Sequence, residues 1–254
     1  MNASKFFLKA ANSLVTAVVA LFLILAAAYS GYALWDNAQV YGAVDDIQSQ
    51  LLKLKPDPEQ KDGGTSFEEL RKINPDVCGW ITLDHTKIDY PILQGEDNLT
   101  YINTDVYGDF ALSGSIFLDS GCDRNFRGKY SLLYGHHMAE HKMFGDLDLY
   151  LDPQFFESHT TGTLMVPGRT YSLQILASMR TEESDHFIFD PEHCLSEPES
   201  FRQEILSKSE YIHEGLWQEW EQEPEKYSVL ALSTCSSEKE EERIVVFAVY
   251  KSGE

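Results

Sequence analysis

Between residues 14 and 34 the chain carries no Asp, Glu, Lys or Arg. That length matches the ~20 apolar residues a helix needs to cross a bilayer. A helix also satisfies its own backbone polar groups in lipid, which an isolated strand cannot do. Lys5 and Lys9 precede the segment. Positive charge stays on the cytoplasmic side, so the remainder of the chain is expected outside. A cleaved signal peptide is the rival reading. The run is long for a signal core and LAAAYSGYA offers only a weak cleavage site, which favours a retained anchor. The expected organisation is a cytoplasmic N-terminus over residues 1–12, a membrane anchor over 13–35, an extracellular stalk over 36–62 and a catalytic domain over 63–254.

Of the 254 residues, 41 are acidic and 20 basic, for a net charge of −21. Binding to nucleic acid needs a basic footprint, so nucleic acid is excluded as a partner. Docking on an anionic lipid surface is disfavoured on the same ground. Residues 36–55 have loose helical periodicity, which PDPEQKDGG breaks. Next comes SFEELRKIN, in which Ser66 and Glu69 have the spacing of a capping box for a short helix. Beyond it the texture changes. GWITLDHTKIDYPILQ, GSIFLD, YSLLYGHH, GTLMVPGRTYSLQILASMR, YSVLALSTC and RIVVFAVYK are runs rich in β-branched and aromatic residues. Many short strands with turn signals between them predict an all-β barrel or sandwich with a few helices. One helix is predicted over about 197–212, and a second, short one through AEHKMFGDLDLYL.

The four cysteines, Cys78, Cys122, Cys194 and Cys235, form no CxxC pair, which removes zinc-ribbon and thioredoxin readings. Two disulfides are arithmetically allowed, and Cys78 beside Trp80 reads as a buried small hydrophobe. Cys235 ends one strand-like run and Arg243 opens the next, with Glu238 and Glu240–Glu242 between them. A reactive thiol needs an electropositive setting. The local sequence supplies acid, so activation has to come from Arg243 or a histidine. His136 and His137 follow the run YSLL, at a strand end where a rigid scaffold presents functional groups. Two readings compete there. In one, a histidine pairs with Cys235 for nucleophilic catalysis. In the other, HMAEH matches the H-x-x-E-H zinc pattern, with His137 and His141 as ligands on one helix face and Glu140 as base. The acidic run at 238–242 reads as a solvated turn that could also favour an amino-rich substrate.

Taken together, the anchor, the β domain, YGHHM…MFGDL, LSTC and the following Arg resemble the class B sortases. The resemblance runs from about residue 67 to the end of the chain. It implies an eight-stranded barrel with a few peripheral helices and the activity of a membrane-anchored cysteine transpeptidase of Gram-positive bacteria. The helix near 197–212 also resembles that class's elaboration. His136, directly after Tyr-Gly, matches the family's histidine, Cys235 its nucleophile and Arg243 its arginine. Ala231 stands where the family's motif has Thr, a departure that touches strand packing more than chemistry. Ser233 and Thr234 are implied to line the substrate pocket, while Tyr134 is expected to pack beside the site and Asp119 to orient a neighbouring loop.

The implied reaction cuts a sorting signal after Thr, leaves an acyl group on Cys235 and transfers it to an amine of the cell-wall precursor. Signals such as Asn-Pro-Gln-Thr-Asn and Pro-x-Thr-Gly variants are associated with the class. The implied partners are secreted proteins bearing such signals, the peptidoglycan amine and the membrane. No cofactor or metal is implied, and no clear calcium site stands out. Alternatives are a pilin-polymerising sortase, a zinc endopeptidase using His137, Glu140 and His141, and a binding module with an inert thiol. The pilin alternative is disfavoured because the chain ends at VYKSGE with no second apolar segment.

Overall fold

The computed structural model describes residues 3–57, 64–235 and 242–251. The chain divides into two compact units, Met1–Asp46 and Ile47–Glu254. The first unit is helical: α1 runs over Ala3–Leu51 and so takes in the anchor and the first part of the expected stalk, of which residues 58–62 lie outside the described residues. It is apolar and long enough to cross a membrane, with a mean hydropathy of 2.3 in its most apolar window. Its large side chains, such as Phe22 and Leu25, are exposed within the unit, as lipid-facing residues would be.

In the second unit a sheet closes on itself. Its strands are β1 (Val77–Leu83), β2 (Asp89–Leu93), β3 (Ile116–Leu118), β4 (Tyr130–Tyr134), β7 (Thr161–Val166), β8 (Arg169–Glu182), β10 (Tyr227–Cys235) and β11 (Glu242–Lys251). The order β11-β10-β4-β3-β2-β1-β7-β8 returns to β11 by a β11–β8 pairing, which gives an eight-stranded barrel. Closure leaves the ring without free edges. The short strand β9 (Tyr211–Ile212) adds outside the ring on β8, and β5 (His137–Met138) pairs separately with β6 (Lys142–Met143). The run Ile244–Tyr250 of β11 is buried throughout, because this strand is covered on both faces and need not alternate.

The last turn of α1 and the 3₁₀ turn after it belong to this core. Leu51 is 3% exposed and packs in a cluster with Phe67, Leu70, Trp80 and Phe117, joined by Ile47 and Leu54. Lys55 closes the junction through an ion pair of 2.8 Å to Asp89, whose Oδ1 also accepts from Trp80 Nε1 at 2.6 Å.

The helices depart from expectation at several points. Helix α2 (Gly64–Ile73) opens at Gly64, so Ser66 sits inside the first turn and is not the cap. The helix predicted over 197–212 is α6 (Pro198–Lys208). It stops there because Ser209 turns to extended backbone and Glu210 N donates to Ser178 O, which delivers Tyr211 and Ile212 to β8. The stretch 139–151 forms no α-helix. Glu140, His141 and Met143 have φ of 60°, 64° and 52°, incompatible with one, and a 3₁₀ segment follows over Gly145–Leu151. Among the described residues four helices were not anticipated: α3 (Pro153–Ser158), α4 (His186–Phe189), α5 (Pro191–Ser196) and α7 (Glu214–Gln222). The acidic residues Glu238, Glu240 and Glu241 lie outside the described residues, and Glu242 opens β11.

If the end of α1 is part of the barrel's core, Leu51→Ala lowers the unfolding free energy of residues 47–254 by about 2–4 kcal/mol. Urea denaturation measures this. A loss below about 0.5 kcal/mol, the scale of a surface change, would show that the turn is only tethered there.

Candidate active site

Strand β10 lies between β11 and β4, and the site is built on these two pairings. On one side it runs antiparallel to β11 with Cys235 opposite Arg243. On the other it runs parallel to β4, with Ser233 beside Tyr134. Gly135 N donates to Ser233 O at 3.1 Å and extends that ladder by one residue. His136 follows at once. A Cβ on Gly135 would overlap Ile116 Cδ1 and the Phe144 ring, so only glycine lets the chain pass there.

A cavity of about 400 Å³ opens at this strand end. His136, Arg243, Ser233 and Thr234 all line it, so four of the five residues expected from sequence converge on one space. The fifth, Cys235, contributes its backbone position opposite Arg243. Asn98, Ile102, Glu183 and Phe189 also line the cavity and were not anticipated. Asn98 and Ile102 come from the irregular segment between β2 and β3, Glu183 from the turn after β8 and Phe189 from the end of the short helix α4, where no periodicity marks them. One wall is aromatic: Tyr134 packs 5.3 Å from Phe117 and stacks on Phe189 at 6.5 Å between centroids.

His136 is half-buried, and its Nε2 lies 2.7 Å from Ile102 O. A carbonyl can only accept, so Nε2 carries the hydrogen in this contact and Nδ1 is the ring nitrogen left over. Gly114 makes this contact feasible. It has φ +55° and its missing Cβ would overlap Ile102 O. The Arg243 guanidinium forms an ion pair with Glu183 and donates from Nη1 to Glu242 O at 3.3 Å. Ser233 and Thr234 are 1% and 2% exposed, yet Ser233 Oγ and Thr234 Oγ1 have no hydrogen-bond partner among the described residues. An unmatched buried hydroxyl costs about 1–3 kcal/mol.

The zinc pattern is not realised as its chemistry requires. His137 lies on β5, and Glu140 and His141 on a turn, so no helix face unites them. Each histidine is already engaged: His137 Nε2 with Asp148 at 2.8 Å and His141 Nδ1 with Asp146 at 2.6 Å. The hydrogen bond to Asp148 raises the His137 imidazole above its ordinary value. Among the described residues no group of three His, Cys, Asp or Glu side chains is placed to hold a metal ion.

Comparison with known proteins bears on what this site does. No protein-family model matches the chain. Sortase B of Listeria monocytogenes is 30% identical over 217 residues, covering 84% of this chain and 85% of that protein. The chain belongs to the sortase B family. Solved structures agree. A Streptococcus pyogenes class B sortase involved in pilus biogenesis is 36% identical with a TM-score of 0.63, over 74% of this chain and 99% of that one. A Staphylococcus aureus sortase B–substrate complex is 27% identical with a TM-score of 0.66, over 86% and 99%. A sortase B complexed with triglycine is 28% identical with a TM-score of 0.67, over 86% and 100%.

A sortase is a cysteine transpeptidase, and this one has four cysteines. Cys78, Cys122 and Cys194 are free, buried thiols. Burial pushes each of them up to about 12, where the thiolate is negligible at neutral pH. Cys78 is the buried small residue expected beside Trp80. These three are poor nucleophiles, and Cys235 remains the one expected from the sequence. Iodoacetamide at pH 7 should therefore label Cys235 alone in the folded protein, read by peptide mass mapping. Equal labelling of Cys122 or Cys194 would contradict this assignment.

Proposed function

We propose that this sortase cuts a sorting-signal peptide after a threonine, holds the acyl fragment on Cys235 and passes it to an amine. The Cys235 thiolate attacks the threonine carbonyl carbon. The carbonyl oxygen takes up the displaced electron pair, and the Arg243 guanidinium donates hydrogen bonds to it; a planar, permanently charged fork suits that task. The carbon–nitrogen bond then breaks, and protonated His136 delivers the Nδ1 proton to the leaving amine. This leaves a thioester on Cys235 and a neutral imidazole. An incoming amine attacks the thioester, gives its proton to Nδ1 and restores the thiolate.

The observation that carries the reading is the convergence of His136 and Arg243 on a cavity at the residue opposite Cys235. The hydroxyls of Ser233 and Thr234 would receive the polar groups of the signal, since neither has another partner among the described residues. The anchor would lie in the cell membrane, with Lys5 and Lys9 on the cytoplasmic side and the barrel outside. For the nucleophile we infer a glycine-type or peptidoglycan amine, by analogy with the triglycine-bound sortase B. A lysine of a pilin subunit is the second reading. It is favoured by the 36% identity to the class B sortase involved in pilus biogenesis.

The test is to incubate the detergent-solubilised chain with a pool of sorting-signal peptides, adding either triglycine or a lysine-bearing pilin peptide, and follow products by mass spectrometry. A chelator-resistant thioester at Cys235, absent in Cys235→Ala, is expected. Transfer to triglycine supports wall anchoring, and transfer to the lysine supports pilus assembly. Peptide cutting that survives Cys235→Ala would refute the mechanism.

A further inference from the structure

Asp119 ends β3 and is 4% exposed, a buried carboxylate with no Lys or Arg in ion-pair reach among the described residues. Neutral donors surround it instead. Its Oδ1 accepts from Gly121 N at 2.8 Å. Its Oδ2 accepts from Asn98 Nδ2 at 2.7 Å and from Tyr134 OH at 3.0 Å. Its backbone is fixed as well: its N donates to Leu132 O at 2.9 Å and its O accepts from Gln94 Nε2 at 3.0 Å. Both partners of Oδ2 line the cavity. Burial, and then the charge of Asp119, push the Tyr134 phenol upward, which keeps it a donor.

Asn98 is pinned at both ends of its amide. Its Oδ1 accepts from Ser120 N at 2.8 Å while its Nδ2 donates to Asp119. An amide nitrogen carries two hydrogens, and the second has no partner among the described residues. A carboxylate only accepts. Asp119 therefore admits one orientation of Asn98, with oxygen to Ser120 and nitrogen to itself, and the spare N–H is fixed at the cavity wall.

We propose that Asp119 is a positioning residue for the peptide substrate, which acts by orienting Asn98 and Tyr134 so that Asn98 presents an amide N–H to a main-chain carbonyl of an extended peptide in the cavity. This rests on the sortase reading of that cavity. Asn98 grips the peptide from the cavity wall, and Asp119 never touches the substrate. Asp119→Asn keeps the shape and reverses the logic. Its amide presents a donor either to Gly121 N–H or to the Asn98 and Tyr134 donors, and relief at the second place turns Asn98 over and withdraws the free N–H.

The experiment is a double-mutant cycle, Asp119→Asn and Asn98→Ala singly and together, in the full chain in detergent with a cleavable sorting-signal peptide. Peptide KM, kcat, amine KM, the pH profile of Cys235 alkylation and Tm are read for each. D119N is expected to raise peptide KM about fivefold, the scale of one neutral hydrogen bond. The kcat, the amine KM and the alkylation profile should stay within about twofold of wild type. In the N98A background D119N should add nothing. Additive effects, an unchanged KM, or a fall in kcat and alkylation that tracks Tm would each overturn the proposal. N98A alone must raise peptide KM, so an unchanged value there overturns it even where D119N fails to fold. A wild-type chain that forms no peptide adduct at Cys235 refutes the transpeptidase mechanism itself, whereas an active wild type with an indifferent D119N refutes only the role of Asp119.

Discussion

The parallel pairing of β4 with β10 is the contact on which the site depends. The two strands are separated by nearly a hundred residues of sequence, and a parallel pair always requires such a crossover. Once Tyr134 lies beside Ser233, the two residues after β4 emerge at the mouth of β10. Gly135 accepts the crowding of Ile116 and Phe144, and His136 is delivered to the cavity. On the other side of β10 the antiparallel register brings Arg243 opposite Cys235. β11 then pairs with β8 and closes the barrel, with Arg243 opposite Thr181 near the start of the segment that supplies Glu183 and Phe189. A slip of one residue in either ladder would turn every side chain to the other face.

Charge is managed locally in a strongly acidic chain. Three groups at or beside the cavity have specific counterparts: Arg243 has Glu183, His136 has a backbone carbonyl, and Asp119 has three neutral donors. His136 uses a carbonyl where other nucleophilic enzymes use a carboxylate. That choice fixes the tautomer without adding a further negative charge to the cavity. The two hydroxyls left over, on Ser233 and Thr234, mark where the protein has left its own hydrogen bonding incomplete.

Much of this was legible in the sequence, for physical reasons. The strands announced themselves because β-branched and aromatic residues recur in short runs between turn residues, and Cys235 and Arg243 stood at the ends of two such runs. The motif order then pointed to His136. The helices were harder. Asp152-Pro153 and Asp190-Pro191 do supply N-caps with proline in the first turn, but these helices are too short for periodicity to show. The stretch 139–151 misled because its apolar spacing suits a helix while its backbone takes positive φ at three residues. Asn98 and Glu183 could not be found, since they lie in irregular segments whose place is set only when the barrel closes. The zinc pattern at 137–141 shows the limit of spacing alone: three residues at helical intervals mean nothing on a strand and a turn.

The most direct test of the central claim is the crystal structure of the complex with a sorting-signal peptide that ends in a threonine aldehyde, whose carbonyl carbon a thiol attacks to give a hemithioacetal. The account predicts a covalent bond to Cys235 Sγ, the former carbonyl oxygen within hydrogen-bond distance of the Arg243 guanidinium, and His136 Nδ1 facing the sulfur while Nε2 stays on Ile102 O. A covalent adduct whose oxygen points away from Arg243, or a peptide bound away from this cavity, would contradict it.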